Sequence, residues 1–205
     1  NTTGDSYYTR VIVKVTIEKA DLTIGVKLTN PSIVYGSQTS EFEDLYKNAD
    51  YSGFVYGESA TQSGVLNGTL VFTVKDSNGQ VVTDLHSAPV GTYTVTPSGV
   101  TATNYNITFE SATFEITKRP ITITANSETK YYDGTPLTNS GYTASNLVNG
   151  HSVQSGVTIT GSITNVGSTA NVASGNAVIV NGVGTNVTSN YIVSYEKGTL
   201  TIRPV

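Results

Sequence analysis

The side chains best suited to chemistry in this sequence are its two histidines, His86 and His151. A hydrolase triad or a histidine-based metal site needs partner side chains that converge on the histidine. Neither histidine has such partners nearby in the sequence, and the two do not occupy equivalent positions in the repeat of the chain. We therefore interpret both as solvent-accessible loop residues, and we predict no catalytic residue, no metal site and no cofactor.

A run of carboxylates is the second candidate, because two carboxylates can flank a glycosidic bond or bind Ca²⁺. The run consists of Glu41, Glu43, Asp44, Asp50 and Glu58. Its spacing selects no pair, and the regular Asp-rich loop of an EF-hand is missing. We expect a solvated rim, so an enzyme such as a glycosidase is the least favoured function class.

A cluster of tyrosines is the third candidate. Tyr46, Tyr51 and Tyr56 lie close together in the sequence beside two glycines, and their rings could form an aromatic platform for a sugar. Exposed apolar patches often mark interaction surfaces. We predict these three residues as the ligand-binding residues, with a sugar ring as the ligand.

The stretch TKYYDGTP, residues 129–136, also combines groups that could do chemistry, but its pattern is that of a turn. Asp133 can accept a local backbone N–H, and Gly134 tolerates unusual φ values. We place the Tyr132 ring at the edge of the core, with its hydroxyl at the rim. The stretch is therefore predicted to be a structural corner.

Composition limits the partners of the chain. Its 205 residues carry a formal net charge of −4 and only 13% charged side chains, so no basic stripe is available for nucleic acid. No apolar run approaches the roughly 20 residues that span a bilayer, and we expect no membrane insertion. The chain has no cysteine, so disulfides do not stabilise it.

The elements that position these residues are predicted to be β-strands. Thr, Val, Ile and Tyr recur with period-two alternation, as in Leu22, Ile24 and Val26, which is the pattern of half-buried antiparallel strands. The residues from Asp76 to Gly79 are typical of a hairpin turn. One segment, Ser40 to Asn48, predicts one or two helical turns, with a capping box between Ser40 and Glu43.

The sequence also resembles itself, which indicates a repeat architecture. The segment NYNITFESATFEI from Asn104 aligns without gaps to NYIVSYEKGTLTI from Asn190. Further matches pair Tyr35 with Tyr132 and Phe54 with Leu147, so Phe54 is predicted to be a core residue. The paired positions also include Leu22 with Ile121, Ile24 with Ile123, Tyr105 with Tyr191, Phe114 with Leu200, and Ile116 with Ile202.

The repeat predicts three parts of the chain. Residues 20–118 and 119–205 form two β modules, and residues 1–19 are interpreted as the last strand of a preceding module or an N-terminal extension. The two modules are joined only by TKRP, residues 117–120, in which the proline fixes its own φ. A linker this short leaves few free dihedral angles, so we expect the modules to be held end to end.

Short motifs occur in the same order in the two halves. In the second half these are KYYDGTPL, LVNGH and NYIVSYEKGTLTI, and in the first half IVYGS, GFVYGE and NYNITFESATFEITK. The motifs of the first half resemble the YGX type, and those of the second half the YDG type, of the MBG-like repeat modules of bacterial surface proteins. The resemblance implies a small all-β, β-sandwich or Ig-like module that is repeated in secreted or cell-wall-attached, adhesin-like proteins. It brings no catalytic residues.

Two functions remain as hypotheses. The first is a spacer or stalk in a secreted or cell-wall-attached bacterial protein, whose partners are the neighbouring modules of the same chain. The second is a binding module for a glycan or host protein that uses the tyrosine surface of the first module. The predicted localisation is extracellular for both.

Overall fold

The computed structural model describes Gly4 and residues 9–205. Within this part, the chain is all-β, with a single α-helix, α1 (Thr39–Tyr46), and a short 3₁₀ turn at Thr188–Asn190. The strands form four sheets, two in each half of the chain, and no sheet of the described part contains strands from both sides of residue 118. The predicted all-β class, with two successive β-rich halves, is confirmed.

The first half contains seven strands in two sheets of three and four strands. They are β1 (Ala20–Val26), β2 (Ser32–Val34), β3 (Ala49–Ser52), β4 (Asn67–Lys75), β5 (Gly91–Thr101), β6 (Tyr105–Phe109) and β7 (Ala112–Thr117). The sheet orders are β3-β1-β6 and β2-β7-β5-β4.

The second half repeats this topology. Its strands are β8 (Arg119–Ala125), β9 (Glu128–Tyr131), β10 (Tyr142–Ser145), β11 (Ser152–Thr160), β12 (Gly167–Val180), β13 (Tyr191–Glu196) and β14 (Gly198–Arg203). The sheet orders are β10-β8-β13 and β11-β12-β14-β9, which correspond strand for strand to those of the first half. Helix α1, which lies between β2 and β3, has no counterpart in the second half.

The strand registers agree with the sequence alignment of the two halves. In the parallel pair β1–β6, Tyr105 lies opposite Ala20, and in the parallel pair β8–β13, Tyr191 lies opposite Arg119. The backbone N–H of Tyr35 donates to the carbonyl of Thr117 at 2.8 Å, and that of Tyr132 donates to the carbonyl of Arg203 at 2.9 Å. The paired positions therefore occupy equivalent places in two copies of one scaffold.

Period-two alternation creates the buried faces of the strands. In β1, Leu22 and Ile24 are buried, and in β8 their counterparts Ile121 and Ile123 are buried as well. Phe54 is half-buried against the same cluster as Leu22, which agrees with its predicted core role.

The position of the helix was predicted correctly, but the residues of its N-terminal capping box were not. Helix α1 begins after Gln38, and the carboxylate of Glu41 accepts a hydrogen bond of 2.6 Å from the Gln38 backbone N–H. The capping box thus lies two residues before the predicted pair, Ser40 and Glu43. The inner face of the helix buries Phe42 and Leu45.

The predicted turn after β4 is confirmed. The Asp76 carboxylate accepts hydrogen bonds of 2.9 Å from the backbone N–H groups of both Asn78 and Gln80. Gly79 has a φ of 77°, a conformation that suits glycine. Asp and Gly therefore act here as turn residues, as the sequence indicated.

The hydrophobic core is divided differently from the sheets. Two buried clusters lie within the second half and one lies within the first, but the largest cluster contains residues from both halves. Tyr35, Phe114 and Ile116 of the first half share that cluster with Val148 and Tyr191 of the second. Residue 118 therefore separates the hydrogen-bonded sheets, whereas apolar side chains pack across it.

The prediction for residues 1–19 falls partly outside the described residues. Residues 9–19 form no strand in this structure. Their apolar side chains are exposed, and these are Val11, Ile12, Val13, Val15 and Ile17. The segment runs directly into β1 at Ala20, as β7 runs through Lys118 into β8.

Candidate functional site

The structure does not bring the three predicted tyrosines together. Tyr46 is only 9% exposed and stacks on the buried ring of Phe114, with ring centroids 6.2 Å apart. Its prediction as an exposed binding residue was wrong, because helix α1 turns it toward the core. Tyr51 is half-buried beside Phe54, and Tyr56 alone is fully exposed.

Three carboxylates of the acidic run have separate partners. Glu43 pairs with Lys47 one helical turn away, and Glu41 caps helix α1. Glu58 accepts a hydrogen bond from the hydroxyl of Tyr105. Residues 4 and 9–205 contain no cluster of three or more histidine, aspartate or glutamate side chains able to hold a metal ion.

Both histidines lie at the boundary between the two halves and are half-buried, not in open loops as predicted. The Nδ1 of His86 lies 2.9 Å from the carbonyl oxygen of Ser37, and the Nδ1 of His151 lies 2.7 Å from the hydroxyl of Tyr191. Each histidine therefore supports a segment of its own half that contacts the other half. Sequence analysis missed this role because the two histidines are not equivalent in the repeat.

The contact between the halves is centred on a turn that we name the tyrosine corner, Tyr35-Gly36-Ser37, at the end of β2. The ring of Tyr35 meets that of Tyr191 edge to face, with centroids 5.5 Å apart and planes at 82°. It also lies 6.1 Å from the His151 ring. Gly36 packs directly on Val148 of the second half. Edge-to-face contact of aromatic rings adds to the gain from burying them.

The surface that receives the corner is held together by Tyr191 on β13. Its hydroxyl accepts a hydrogen bond of 3.3 Å from the backbone N–H of Val148 and contacts His151. Tyr191 thus fixes the loop that follows β10, and this loop presents Val148 to Gly36. Asn146, at the start of the loop, adopts a φ of 64° and donates to the carbonyl of Pro120 at 2.8 Å.

Polar contacts complete the boundary, and together with the tyrosine corner they form what we name the module interface. The Nε of Arg119 donates to the carbonyl of Tyr35 at 2.7 Å, and its Nη1 donates to Oδ1 of Asn146 at 3.1 Å. From the other side, the backbone N–H of Val90 donates to Oδ1 of the buried Asn190 at 3.0 Å. Buried polar groups are thus paired across the boundary, as close packing requires.

Burial at the module interface shifts the pKa values of its titratable groups. Desolvation raises the pKa of Tyr35 and of Tyr191 above the ordinary tyrosine value. Desolvation also lowers the pKa of His151, and the charge of nearby His86 lowers it further. The interface therefore favours neutral His151, which acts as a structural group.

The stretch TKYYDGTP forms the turn of the second half that is equivalent to the tyrosine corner of the first. The carboxylate of Asp133 accepts a hydrogen bond of 2.9 Å from the Thr135 backbone N–H and one of 2.7 Å from Nζ of Lys130. These hydrogen bonds hold the pKa of Asp133 well below its usual range, the Lys130 contact being the largest cause. The predicted turn chemistry is confirmed, but the Tyr132 ring is 44% exposed, whereas the equivalent Tyr35 is 3% exposed.

The comparison with known families agrees with this architecture. Residues 22–115 match the family model described as MBG domain (YGX type). This part of the chain therefore belongs to the MBG family, and the second half repeats its strand topology. A search of curated proteins found no match to the chain.

The MBG family is a family of structural repeats, and the match over residues 22–115 indicates a repeat module of the type found in bacterial surface proteins. In the part of the chain that the structure describes, no helix is both long and apolar enough to cross a membrane.

Proposed function

We propose that the chain is a spacer of a secreted or cell-wall-attached bacterial protein and that it works without catalysis. Its task is to hold a more specialised domain away from the cell surface at a defined direction. The observation that carries the proposal is the module interface, in which the tyrosine corner of the first module is buried against Val148 and Tyr191 of the second. A hinge for a catalytic cleft would leave this boundary open to water.

The physical basis of the spacer is the combination of a short linker and side-chain contacts on both sides of it. The linker restricts the number of directions that the second module can take. The hydrogen bonds of Arg119 and Asn190 then select one of them. Rigid packing and a directional polar contact together favour one arrangement of the modules.

Distance measurement between two spin labels tests the proposal. The chain has no cysteine, so single cysteines can replace Thr113 on β7 and Thr199 on β14, two exposed residues at equivalent positions of the two modules. We expect one narrow distance distribution, because the module interface fixes the two strands relative to each other. A broad distribution, with a compact and mobile pair in small-angle scattering, would contradict a rigid spacer.

The extracellular location is tested separately. Antibodies against residues 20–205 should label intact cells of the source bacterium, and protease treatment of intact cells should remove the label. Label that appears only after cell lysis would contradict a surface location while leaving the rigidity of the two modules untouched.

A binding role has one observation in its favour, the full exposure of Tyr56. Its φ of 55° is unusual for a residue other than glycine and directs the ring into solvent. If Tyr56 binds a glycan or host protein, Tyr56→Ala should abolish retention on a glycan array or host matrix, whereas Tyr51→Ala should affect mainly stability. Absence of retention for the unchanged chain would leave the spacer function alone.

A further inference from the structure

The two modules have equivalent ends, but only one pair of ends is in contact. The tyrosine corner of the first module is covered by the second, whereas the equivalent Tyr132 at the far end of the second module is 44% exposed. The surface that contacts the tyrosine corner shows the same difference. Val148 of the second module is 6% exposed, whereas the equivalent Val55 of the first module is 39% exposed. The described residues thus carry one formed interface and two uncovered surfaces that are equivalent to its two sides.

The free receiving surface is a cleft of about 560 Å³, which we name the Tyr105 cleft. Its lining includes Val55, Tyr56, Glu58, Asn104 and Tyr105. It lies beside residues 17–20, where the polypeptide enters the first module.

The Tyr105 cleft has the internal construction of the formed receiving surface. The hydroxyl of Tyr105 accepts a hydrogen bond of 3.1 Å from the Val55 backbone N–H, as that of Tyr191 does from Val148. Glu58 contacts the Tyr105 hydroxyl, as His151 contacts the Tyr191 hydroxyl. The loop is therefore held in the same way although none of the described residues covers it.

The Tyr105 cleft also has a residue, Asn104, at the position that makes a polar contact between modules at the formed interface. The alignment pairs it with Asn190, whose Oδ1 accepts the backbone N–H of Val90 from the neighbouring module. The strand registers pair Val90 with Val166, because Gly91 lies opposite Ile116 and Gly167 lies opposite Ile202. Val166 is exposed at the uncovered end of the second module, whereas Val90 is half-buried at the formed interface.

We propose that the Tyr105 cleft is the docking site for the tyrosine corner of a preceding module of the same kind. The proposal rests on the proposed spacer function and names the partner that this end of the spacer takes. A ring equivalent to Tyr35 would meet Tyr105 edge to face, and a corner glycine equivalent to Gly36 would pack on Val55. The docked module would bury the apolar surface that Val55 and Tyr56 now expose.

Charge at the cleft specifies the partner further. At the formed interface, His86 of one module and His151 of the next line the same cleft. At the Tyr105 cleft the position of His151 is taken by Glu58, and Ala20 takes that of Arg119. An anionic carboxylate favours a cationic or hydrogen-bond-donating side chain at the position of His86 in the docked module.

Residues 11–17 match the last strand of such a module. In the alignment of the junctions, Ile17 takes the position of Ile116, and Val15 that of Phe114. Phe114 and Ile116 are buried on β7, whereas Val15 and Ile17 are exposed. A preceding module would cover these side chains and would place its corner at the Tyr105 cleft.

The test is a three-module chain in which a copy of residues 20–118 replaces residues 1–19, so that its Lys118 precedes Ala20 as Lys118 precedes Arg119 in the natural junction. Hydrogen exchange of the backbone N–H groups of residues 53–58 in the original first module is then compared with that of the two-module chain. We expect about tenfold slower exchange when the corner is docked.

Matched substitutions in the inserted copy show whether the corner is responsible. Gly36→Ala should remove the protection, because a side chain at the corner would meet Val55. Gly79→Ala should preserve it, because Gly79 has a similar φ of 77° but no heavy atom within 4 Å of an added Cβ. Protection that survives Gly36→Ala, or exchange that does not change on insertion, would overturn the proposal.

Two further results separate the alternatives. An oligosaccharide that protects residues 53–58 only when Tyr56 is present, with no protection from the inserted module, would identify a ligand site and would also overturn the proposal. The Thr113 and Thr199 spin-label distance is measured in the same chains. A narrow distance distribution together with unchanged hydrogen exchange of residues 53–58 refutes the docking site alone. A broad distance distribution refutes the spacer function.

Discussion

Gly36 lies so close to Val148 that a Cβ atom added to the glycine would be 2.2 Å from Cγ2 of the valine. The two residues belong to different modules, and Val148 is part of the largest hydrophobic cluster together with Tyr35, the residue before the glycine. A side chain at this position would therefore force Val148, the turn or the two modules to shift. The close approach of the modules at this point thus depends on the glycine.

Gly36→Ala should loosen the module interface. Overpacking of this kind typically costs about 1–3 kcal/mol, and we expect the free energy of unfolding to fall by that amount, with a broader distance distribution between labels at Thr113 and Thr199. Gly134→Ala is the matched control, because Gly134 has a φ of 78° and no heavy atom within 4 Å of an added Cβ. Equal effects of the two substitutions would show that backbone strain, not the contact with Val148, governs the result.

Arg119→Ala should weaken the coupling of the modules without unfolding either of them. It removes the hydrogen bonds to the Tyr35 carbonyl and to Asn146. Since Arg119 is half-buried, we expect a loss of about 1 kcal/mol in urea denaturation. Arg203→Ala, at an exposed position on the last strand, should change stability by less than about 0.5 kcal/mol. Similar losses for both variants would contradict a bridging role for Arg119.

Acid should weaken the module interface through His151. Its pKa is lowered by burial and by His86, so the folded state binds a proton less readily than the unfolded chain. The stabilisation is therefore complete above the ordinary histidine pKa of about 6.5 and is lost as the pH falls through the lower folded value. Thermal unfolding at pH 7.5 and pH 5 should show this decrease.

His151→Gln separates that effect from general acid destabilisation. Glutamine keeps a polar group near the Tyr191 hydroxyl but does not titrate. The variant should lose part of the difference between pH 7.5 and pH 5, and His86→Gln measures the contribution of the neighbouring ring. An unchanged difference in the His151 variant would assign the pH dependence to other groups.

Asn171→Val should destabilise the second module. The fully buried Asn171 donates 2.9 Å hydrogen bonds from Nδ2 to the carbonyls of Asn126 and Asn139. In the first module the equivalent position, by strand register, is the buried Val95. Valine therefore fits this place in the scaffold, but it would leave two carbonyls without their donor, and we expect a loss of about 2 kcal/mol.

The same substitution at the exposed Asn176 is the control for Asn171→Val, and chemical denaturation monitored by tyrosine fluorescence is the measurement. Asn176 lies on the same strand, β12, so the loss of an asparagine and the gain of strand propensity are matched. If Asn171→Val is as stable as Asn176→Val, the two carbonyls find other partners, and the two hydrogen bonds of Asn171 do not contribute to the free energy of unfolding.

Much of the fold could be predicted from the sequence because its signals are local or repeated. Period-two alternation identified the buried faces of β1 and β8, and the Asp76 to Gly79 turn was predicted from residues that hydrogen-bond to their own neighbours. The alignment paired Tyr35 with Tyr132 and Tyr105 with Tyr191, and the strand registers bear these pairs out. The helix cap was displaced by two residues, because Glu41 caps the backbone N–H of Gln38, a residue that the Ser/Thr pattern of capping boxes does not select.

The candidate site required coordinates because its contacts join residues far apart in the sequence. Tyr46 and Tyr56 look alike in a run of aromatic residues, yet one is stacked on Phe114 and the other is fully exposed. His86 and His151 have no common pattern, and only the packing of the two modules brings them close to each other. Propensity and periodicity do not contain this information, since it depends on the position of one surface relative to another.

The sequence by itself determined that the chain consists of two copies of one β scaffold, since alternation and duplication are properties of residue order alone. Only the tertiary structure decided that equivalent residues have different environments. Tyr35 is buried and Tyr132 half-exposed, although both hold the same place beside the last strand of their module. The physical reason is that burial depends on what covers a residue, and a neighbouring module covers one copy of the corner and not the other.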